Sequence, residues 1–419
     1  MKLRNLMYAT MIACAFASCS NDDVPTPDNG NPDVEGGTSL ALKIDQPTTK
    51  AGGGDIRAGT NDIKLEKKAT VEEEGTDEVL QTKLTPGNKT VLVLANAKDE
   101  VATFNEETTS YQNVLDATTK FELYSETDGD FSMNSKAYEV TLKANVTNYL
   151  GYGLSGDKDG NYLPQAGDGA VKMYRNVAKV VLKGIKIKES VAEGQQYPNA
   201  ELKLKEIFIL HGHNNSKLVG ANGAEWGSTM MDGSYGNGVV SDAYTKYLED
   251  VTETDKIFNY IQDPTSNYVY EPTFVSVFDD VTVSKTEAYA PKDMKTFYPY
   301  ENTSGEDGIQ TLLVIKGDFS YDGIKSGDSE PSRITESNRY YSFAIGNTGT
   351  VSEKVPTDFV GLRADDKIHG VMRNLQYNTT ITVTGPGYKT PVGPKYDETF
   401  LDVKVEVVPF GEVDQDVEI

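Results

Sequence analysis

From residue 39 onward the chain is written in short runs of β-branched and large apolar residues, interrupted by Gly, Asn and Asp. The clearest runs are SLALKI (39–44), TVLVLANA (90–97), YEVTLKANV (138–146), VAKVVLKGIKI (177–187), LKLKEIFIL (202–210), TLLVIKGDF (311–319), RYYSFAIG (339–346), TTITVTG (379–385) and LDVKVEVV (401–408). Several of them alternate apolar and polar residues. Successive side chains of a strand point to opposite faces, so alternation describes a sheet with one buried and one wetted face. Few stretches carry a helical period, and the pattern predicts an all-β chain of antiparallel β-sandwiches. One helix is predicted within 100–120, where Val101, Phe104, Tyr111, Val114 and Leu115 can form an apolar stripe interrupted by Thr108, Thr109 and Ser110.

A length of 419 residues is enough for two domains, each with its own core. After the run ending in GIKI comes the polar stretch KESVAEGQQYPNAE (188–201), which places a boundary near 186–200. The expected division is an N-terminal domain over 39–190 and a C-terminal domain over 191–419. Residues 219–262, rich in Gly, Ser, Asn, Asp and Tyr, read as a long surface excursion of the second domain.

The first eighteen residues carry Lys2 and Arg4, followed by an apolar run from Leu6 to Phe16. The run is too short to span a bilayer and reads as a signal peptide. It ends in Phe16-Ala17-Ser18-Cys19, which resembles a lipobox with Cys19 as the lipidated residue; a plain secretory signal with an unmodified cysteine is the alternative. Each buried methylene of an acyl chain adds roughly 0.8 kcal/mol, so a multiply acylated Cys19 holds a protein on a membrane without any transmembrane helix. Ser20-Asn21-Asp22-Asp23 follows at once and resembles the surface-export signal of Bacteroidetes lipoproteins. Residues 19–38 contain Pro, Gly, Asn and Asp with little that is apolar and read as a flexible tether. The chain has two cysteines, Cys14 in the leader and Cys19 at the lipidation position, so neither a disulfide nor a thiolate site is expected in the mature fold. Removing residues 1–18 moves the formal charge from −24 to −26, which repels nucleic acid and anionic membrane surfaces.

The chemistry of an enzyme is thinly represented. His211-Gly212-His213 could place two imidazoles on one side of a strand end, but no third ligand stands at a recognisable spacing. Asp157-Lys158-Asp159-Gly160-Asn161 has part of a calcium loop without its later bidentate Glu and reads as a surface turn. No nucleophile elbow, phosphate loop or dinucleotide fingerprint occurs in a strand-to-helix setting. No cofactor is expected and no metal site is assigned.

The ordered set of motifs points elsewhere. A lipobox-like leader is followed by an early strand closed by basic residues, TVLVLANA (90–97) and FSMNS (131–135), then MYRNVAKVVL (173–182), FYPYENTSGEDGIQTLLVIKG (297–317) and VMRNLQYNTTITVTGPG (371–387). Over nearly the whole chain this order resembles the FimA-like major fimbrial subunits, the type V pilins of Bacteroidales. The resemblance implies two tandem transthyretin-like β-sandwich domains with long loops and few short helices. It also implies a fimbrial subunit serving adhesion, exported as an outer-membrane lipoprotein, activated when a trypsin-like protease removes its first strand, and polymerised by strand exchange with other pilin subunits. Among the motif residues, Tyr298, Glu301, Asn302, Arg373, Asn374 and Tyr377 are expected to pin loops and strand ends.

The two ends of the fold carry the residues such assembly needs. SLALKI (39–44) is followed by DQPTTKAGGGDIRAGTND (45–62), where Arg57 before Ala58-Gly59 is the first candidate for cleavage and Lys50 before Ala51-Gly52 the second; an ordinary basic loop is the alternative. At the other end Leu401, Val403, Val405 and Val407 alternate with charged residues, and Val413, Val417 and Ile419 fall on one parity beyond Pro409-Phe410-Gly411. Residues 401–419 can serve as a donor strand, with main-chain hydrogen bonds for affinity and alternate apolar side chains for pockets, or can complete their own sheet. The competing reading is a monomeric surface lipoprotein that binds glycan or host protein, with Tyr235, Tyr244, Tyr247, Tyr260, Tyr268 and Tyr270 as stacking surfaces. A fimbrial tip or anchor subunit is a closer rival within the same family.

Overall fold

The computed structural model describes residues 38–43, 78–118 apart from 96, 98–101 and 106–107, 131–219 apart from 155–157, 167–168, 189, 193–194 and 214–215, 273–389 apart from 291–294, 303–309, 347–349 and 352–369, and 401–409. It is an all-β protein whose described part divides into two compact units. The first unit ends at Asn176 and takes up the chain again from Ser216; the second begins at Val177. The break therefore precedes the strand Lys179–Ile187, whereas the sequence places it after that strand. The reason is pairing: every strand bonded to Lys179–Ile187 belongs to the second unit.

The first unit contains β1 (Thr38–Lys43), β2 (Glu78–Leu84), β3 (Gly87–Val91), β4 (Leu94–Ala95), β5 (Met133–Asn134), β6 (Tyr138–Leu142), β7 (Thr147–Leu150), β8 (Asn161–Leu163) and β9 (Tyr174–Arg175). One sheet has the order β2-β1-β7-β8; β3 pairs with β6, and β4-β5-β9 form a short third sheet. The run YEVTLKANV is not one strand, because Asn145 turns the chain with φ 58° and starts β7 two residues later. In β6, Tyr138, Val140 and Leu142 are buried while Glu139 and Thr141 are exposed, the alternation that the sequence predicts. These three join Leu40, Leu42, Leu84, Val91, Leu150 and Leu163 in one core drawn from both layers.

The predicted helix is shorter than its apolar stripe. Among the described residues of this stretch only α1 (Tyr111–Asp116) is helical, started by a capping box in which the main-chain N–H of Asn113 donates to Ser110 Oγ (3.2 Å) and that of Ser110 to Asn113 Oδ1 (2.9 Å). The hydroxyl-bearing residues before Tyr111 cap the helix instead of extending it. Phe104 and Val114 nevertheless pack together with Leu92, Leu94, Leu218 and Val219 in a second small core. Lys217 lies 3.2 Å from Asp116, and with the Gln112 hydrogen bond it holds that carboxyl below its ordinary range, the Gln112 bond being the larger cause.

The second unit contains β10 (Lys179–Ile187), β11 (Ser190–Ala192), β12 (Gln195–Gln196), β13 (Glu201–Leu210), β14 (Thr273–Ser284), β15 (Lys295–Phe297), β16 (Leu312–Gly323), β17 (Ser332–Ala344), β18 (Thr350–Val351), β19 (Leu375–Val383) and β20 (Leu401–Pro409). Its main sheets run β15-β10-β19-β20-β18 and β14-β13-β16-β17. Strand β19 buries every second residue from Leu375 to Val383, so its inward face carries Leu, Tyr, Thr, Ile and Val. Most pairings are antiparallel, as predicted, but β1 with β7, β7 with β8, β10 with β19 and β18 with β20 are parallel. β1 and β7, and β10 and β19, are parallel neighbours more than a hundred residues apart, which no local periodicity can register.

Candidate functional site

The first strand of the fold occupies a slot between two partners. β1 runs antiparallel to β2, with Leu40 opposite Gln81 and Leu42 opposite Val79, and parallel to β7, from Ser39 beside Thr147 to Leu42 beside Leu150. Leu40 and Leu42 are 0% exposed and point into the core of the first unit. Thr38, Ser39 and Ala41 are buried as well, so both faces of this six-residue strand are covered. A strand flanked on both edges by main chain and on both faces by protein cannot be lost without leaving a lined groove.

The slot holds its strand by polar contacts at both ends. At the entry, the Ser39 N–H donates to the Val146 carbonyl (3.2 Å) and Asn148 Nδ2 donates to the Ser39 carbonyl (3.0 Å). Ser39 Oγ donates to Thr147 Oγ1 (3.0 Å), and the Asn145 N–H donates to Thr38 Oγ1 (3.4 Å). Asn148 is fully buried and also accepts from the Lys143 N–H (2.8 Å) and Asn161 Nδ2 (2.8 Å), which holds the turn before β7 in place. A buried polar side chain with this many partners is a fixed point of the structure. At the exit, the Val171 N–H donates to the Lys43 carbonyl (2.7 Å).

Gly151 lies beneath that carbonyl with φ +87°, where a Cβ would stand 2.3 Å from the Lys43 oxygen. Only a residue without a side chain lets the end of β1 settle there. Replacing Gly151 by Ala is expected to destabilise the first unit by more than about 1 kcal/mol, through both the positive φ and the overlap, and to loosen β1 first. Thermal unfolding together with amide exchange at Leu40–Lys43 measures this, and an unchanged midpoint would contradict the geometry.

The C-terminal candidate is placed differently. Leu401, Val403, Val405 and Val407 belong to β20, which pairs antiparallel with β19 from Leu375–Pro409 to Val383–Leu401 and parallel with β18 on its other side. Residues 401–409 thus lie inside a sheet of their own unit, the alternative that the sequence leaves open. Cys19, Lys50, Arg57, Val413, Val417 and Ile419 lie outside the described residues, as do the six tyrosines between 235 and 270 and residues 220–262.

The motif residues expected to pin loops are brought together in the second unit. Arg373, 0% exposed, forks onto Glu301 through Nε–Oε2 (3.0 Å) and Nη2–Oε1 (2.5 Å). Asn302 and Val371 exchange main-chain hydrogen bonds (2.7 and 2.8 Å) beside that pair. Tyr377 OH accepts from the Met372 N–H (2.8 Å) and donates to the Gly370 carbonyl (3.2 Å), and burial pushes its phenol well above the usual range. Asn374 takes φ 60° and donates its N–H to the Val177 carbonyl (2.8 Å). These contacts tie strand ends and present no reactive group to solvent.

The two histidines are core residues too. Burial lowers both His211 and His213 to about 4, partly offset by hydrogen bonds to the main chain at Gln310 and Glu301 respectively. Among the described residues no three His, Cys, Asp or Glu side chains cluster as a metal would require. What the sequence did not single out is the wall of the slot: Asn145, Thr147, Asn148, Gly151 and Val171. A signal for Asn148 was present, since it shares the parity of Leu150 on a strand whose core-facing positions are otherwise apolar.

Comparison with known proteins agrees with this architecture. Residues 57–183 match the family profile described as major fimbrial subunit protein (FimA). The chain is 23% identical over 431 aligned positions to a major fimbrium subunit FimA type-2 of Porphyromonas gingivalis, covering 99% of each chain. Among solved structures, a candidate cell adhesion protein of Parabacteroides distasonis superposes with a TM-score of 0.59 at 24% identity, covering 89% of this chain and 99% of the other. A fimbrilin of Porphyromonas gingivalis superposes with a TM-score of 0.54 at 17% identity, covering 90% and 98%.

Proposed function

We propose that this chain, which belongs to the FimA-like major fimbrial subunit family, builds a cell-surface fimbria by surrendering its first strand and accepting a strand from another subunit in the same slot. Its role is that of a structural subunit of a fimbria and not of an enzyme. The observation that carries the proposal is the position of β1. It lies between β2 and β7, separated from β2 by residues 44–77, so a single cut in that interval frees the strand without breaking any other described element.

The energetics favour exchange over an empty slot. Leu40 and Leu42 are each worth about 1.5–3 kcal/mol on burial, and loss of β1 also opens the edge of β7 and removes the partner of β2. A vacated slot is an unstable state that a second subunit's strand can relieve by main-chain pairing. While β1 is in place the slot is filled, so the uncut chain is a protected monomer. Arg57, with Lys50 second, is the site at which a trypsin-like protease acts in this scheme. Residues 401–419 supply the donor, with 410–419 as the part that can leave without dismantling β20. Lipid on Cys19 holds the precursor at the outer membrane and remains behind with the released segment.

Limited trypsin digestion followed by denaturing electrophoresis without boiling tests the proposal. The expected result is an early cut at Arg57 or Lys50, then ladders resistant to detergent; a chain ending at Pro409 is expected to be cut but to stay monomeric. A full chain that is cut at either position and remains monomeric would overturn strand exchange.

A further inference from the structure

The apolar pattern of the first strand does not by itself fix where a strand sits in the slot. A slip by one residue turns Leu40 and Leu42 to the opposite face and is forbidden. A slip by two residues keeps the faces and puts Leu42 and Ile44 where Leu40 and Leu42 stand, two apolar residues for two. Main-chain partners cannot tell these registers apart either, because a strand offers a carbonyl and an N–H at every second residue. Something else in the slot has to choose.

We propose that the entry of the slot is a hydroxyl-reading subsite, made by the Asn145 main chain and the Thr147 side chain, that fixes the register of any strand that fills it. The proposal rests on the replaceable-strand reading above and adds a specificity element to it. In the native register Thr38 and Ser39 are buried, and their hydroxyls meet the Asn145 N–H and Thr147 Oγ1. A slip by two would bring Leu40 and Ala41 to these positions, which removes both hydrogen bonds at an entry where Thr38 and Ser39 are buried, Thr147 is half-buried and Asn145 is exposed. The subsite is held rigid from behind. Asn148 Oδ1 accepts from the Lys143 N–H, and its Nδ2 donates to the carbonyls of Lys143 (3.2 Å) and Val146 (3.3 Å), which sets the turn that aims the Asn145 N–H.

The strand that fits is therefore a peptide with two short polar residues followed by apolar residues two apart. Within the C-terminal donor segment, Gln415-Asp416-Val417-Glu418-Ile419 offers hydrogen-bond acceptors without hydroxyls at the positions of Thr38 and Ser39, and Val417 and Ile419 at those of Leu40 and Leu42. Asp416 could accept the Thr147 hydroxyl proton there.

The test uses the cut chain stripped of its released segment, carrying Tyr149→Cys, and synthetic peptides of residues 34–46 with a single cysteine in place of Ala41 or of Lys43. The cut chain has lost both native cysteines, so only designed disulfides form. Ala41 pairs with Tyr149 in the native register, and Lys43 would reach it only after a slip by two. With Thr38 and Ser39 present, cross-linking at 41 is expected to exceed that at 43 by about tenfold, the discrimination that one to two part-buried hydrogen bonds provide. Peptides that also carry Thr38→Val and Ser39→Val are expected to bring the two yields within about threefold. Leu80→Cys, opposite Ala41 on the other wall, is a second reporter should Tyr149→Cys disturb the fold. Equal discrimination by hydroxyl-bearing and valine peptides would overturn the subsite and leave strand replacement standing, whereas failure of every peptide to cross-link with either reporter would overturn strand replacement itself.

Discussion

Replacing Arg373 by alanine is expected to destabilise the second unit by about 3–5 kcal/mol, the cost of leaving a buried carboxylate without its partner. Both side chains of the Arg373–Glu301 pair are removed from water, at 0% and 3% exposure. The pair ties the segment before β19 to the segment after β15, next to the exchanged main-chain bonds of Asn302 and Val371. An exposed ion pair would contribute less than about 1 kcal/mol, so burial is what makes the effect large. Urea unfolding of the single variants and of Arg373→Met with Glu301→Leu separates the terms. The double variant should recover much of the loss, because it buries no unpaired charge. Single variants within about 1 kcal/mol of the parent would show that water reaches the pair.

A second large effect is expected with pH. His211 and His213 are held neutral in the core at about 4, while an unfolded chain's histidines titrate near 6.5. Between these values the unfolded state binds more protons than the folded one, so stability rises with pH through this window. The contribution is complete above about pH 6.5 and is lost as pH falls towards 4, by about 3 kcal/mol for each histidine. Imidazole resonances followed by NMR should show both groups unprotonated at pH 5.5, and the unfolding free energy should fall between pH 7 and pH 4.5. A midpoint near 6.5 for either ring would mean that it is solvated. Both histidines belong to the second unit, so acid acts on the unit that does not contain the slot of β1.

The sequence announces strands well where one face is buried and the other wet. In β6 and β19 every second residue is core, and the alternation survives in the letters. It fails where partners are remote. Nothing local in SLALKI says that Ser39 lies beside Thr147, and nothing in TNYL says that β7 accepts a parallel neighbour on either side. The strand Thr273–Ser284 escaped notice because Asp279 and Asp280 interrupt its apolar residues; Asp280 takes φ 55° and pairs with Lys203 at 2.7 Å, a break in the edge strand of its sheet. The helix was overextended because Phe104 packs with Val114 without being helical.

The candidate site was legible in half. The apolar residues of the first strand identify it as a sheet element, whereas the cleavage candidates Lys50 and Arg57 lie outside the described residues. One wall of the slot, β2, lies about forty residues on and the other, β7, more than a hundred, and Asn148 shows its meaning only when the Ser39 carbonyl is placed beside it. Val403 and its neighbours carried the right period for a strand, but period alone could not say that β20 would be an interior member of its own sheet.

The separation of β1 from β2 by residues 44–77 has a thermodynamic consequence of its own. While that link is intact, β1 competes for the slot at an effective concentration on the order of millimolar, set by the reach of the tether and not by how much protein is present. A cut in the link leaves the described contacts of the slot in place, yet it turns an intramolecular partner into a ligand that can be diluted. Under the proposed strand exchange, at micromolar subunit the bound strand would lose a thousandfold advantage, roughly 4 kcal/mol, and the balance between the first strand and its replacement would become a matter of subunit concentration.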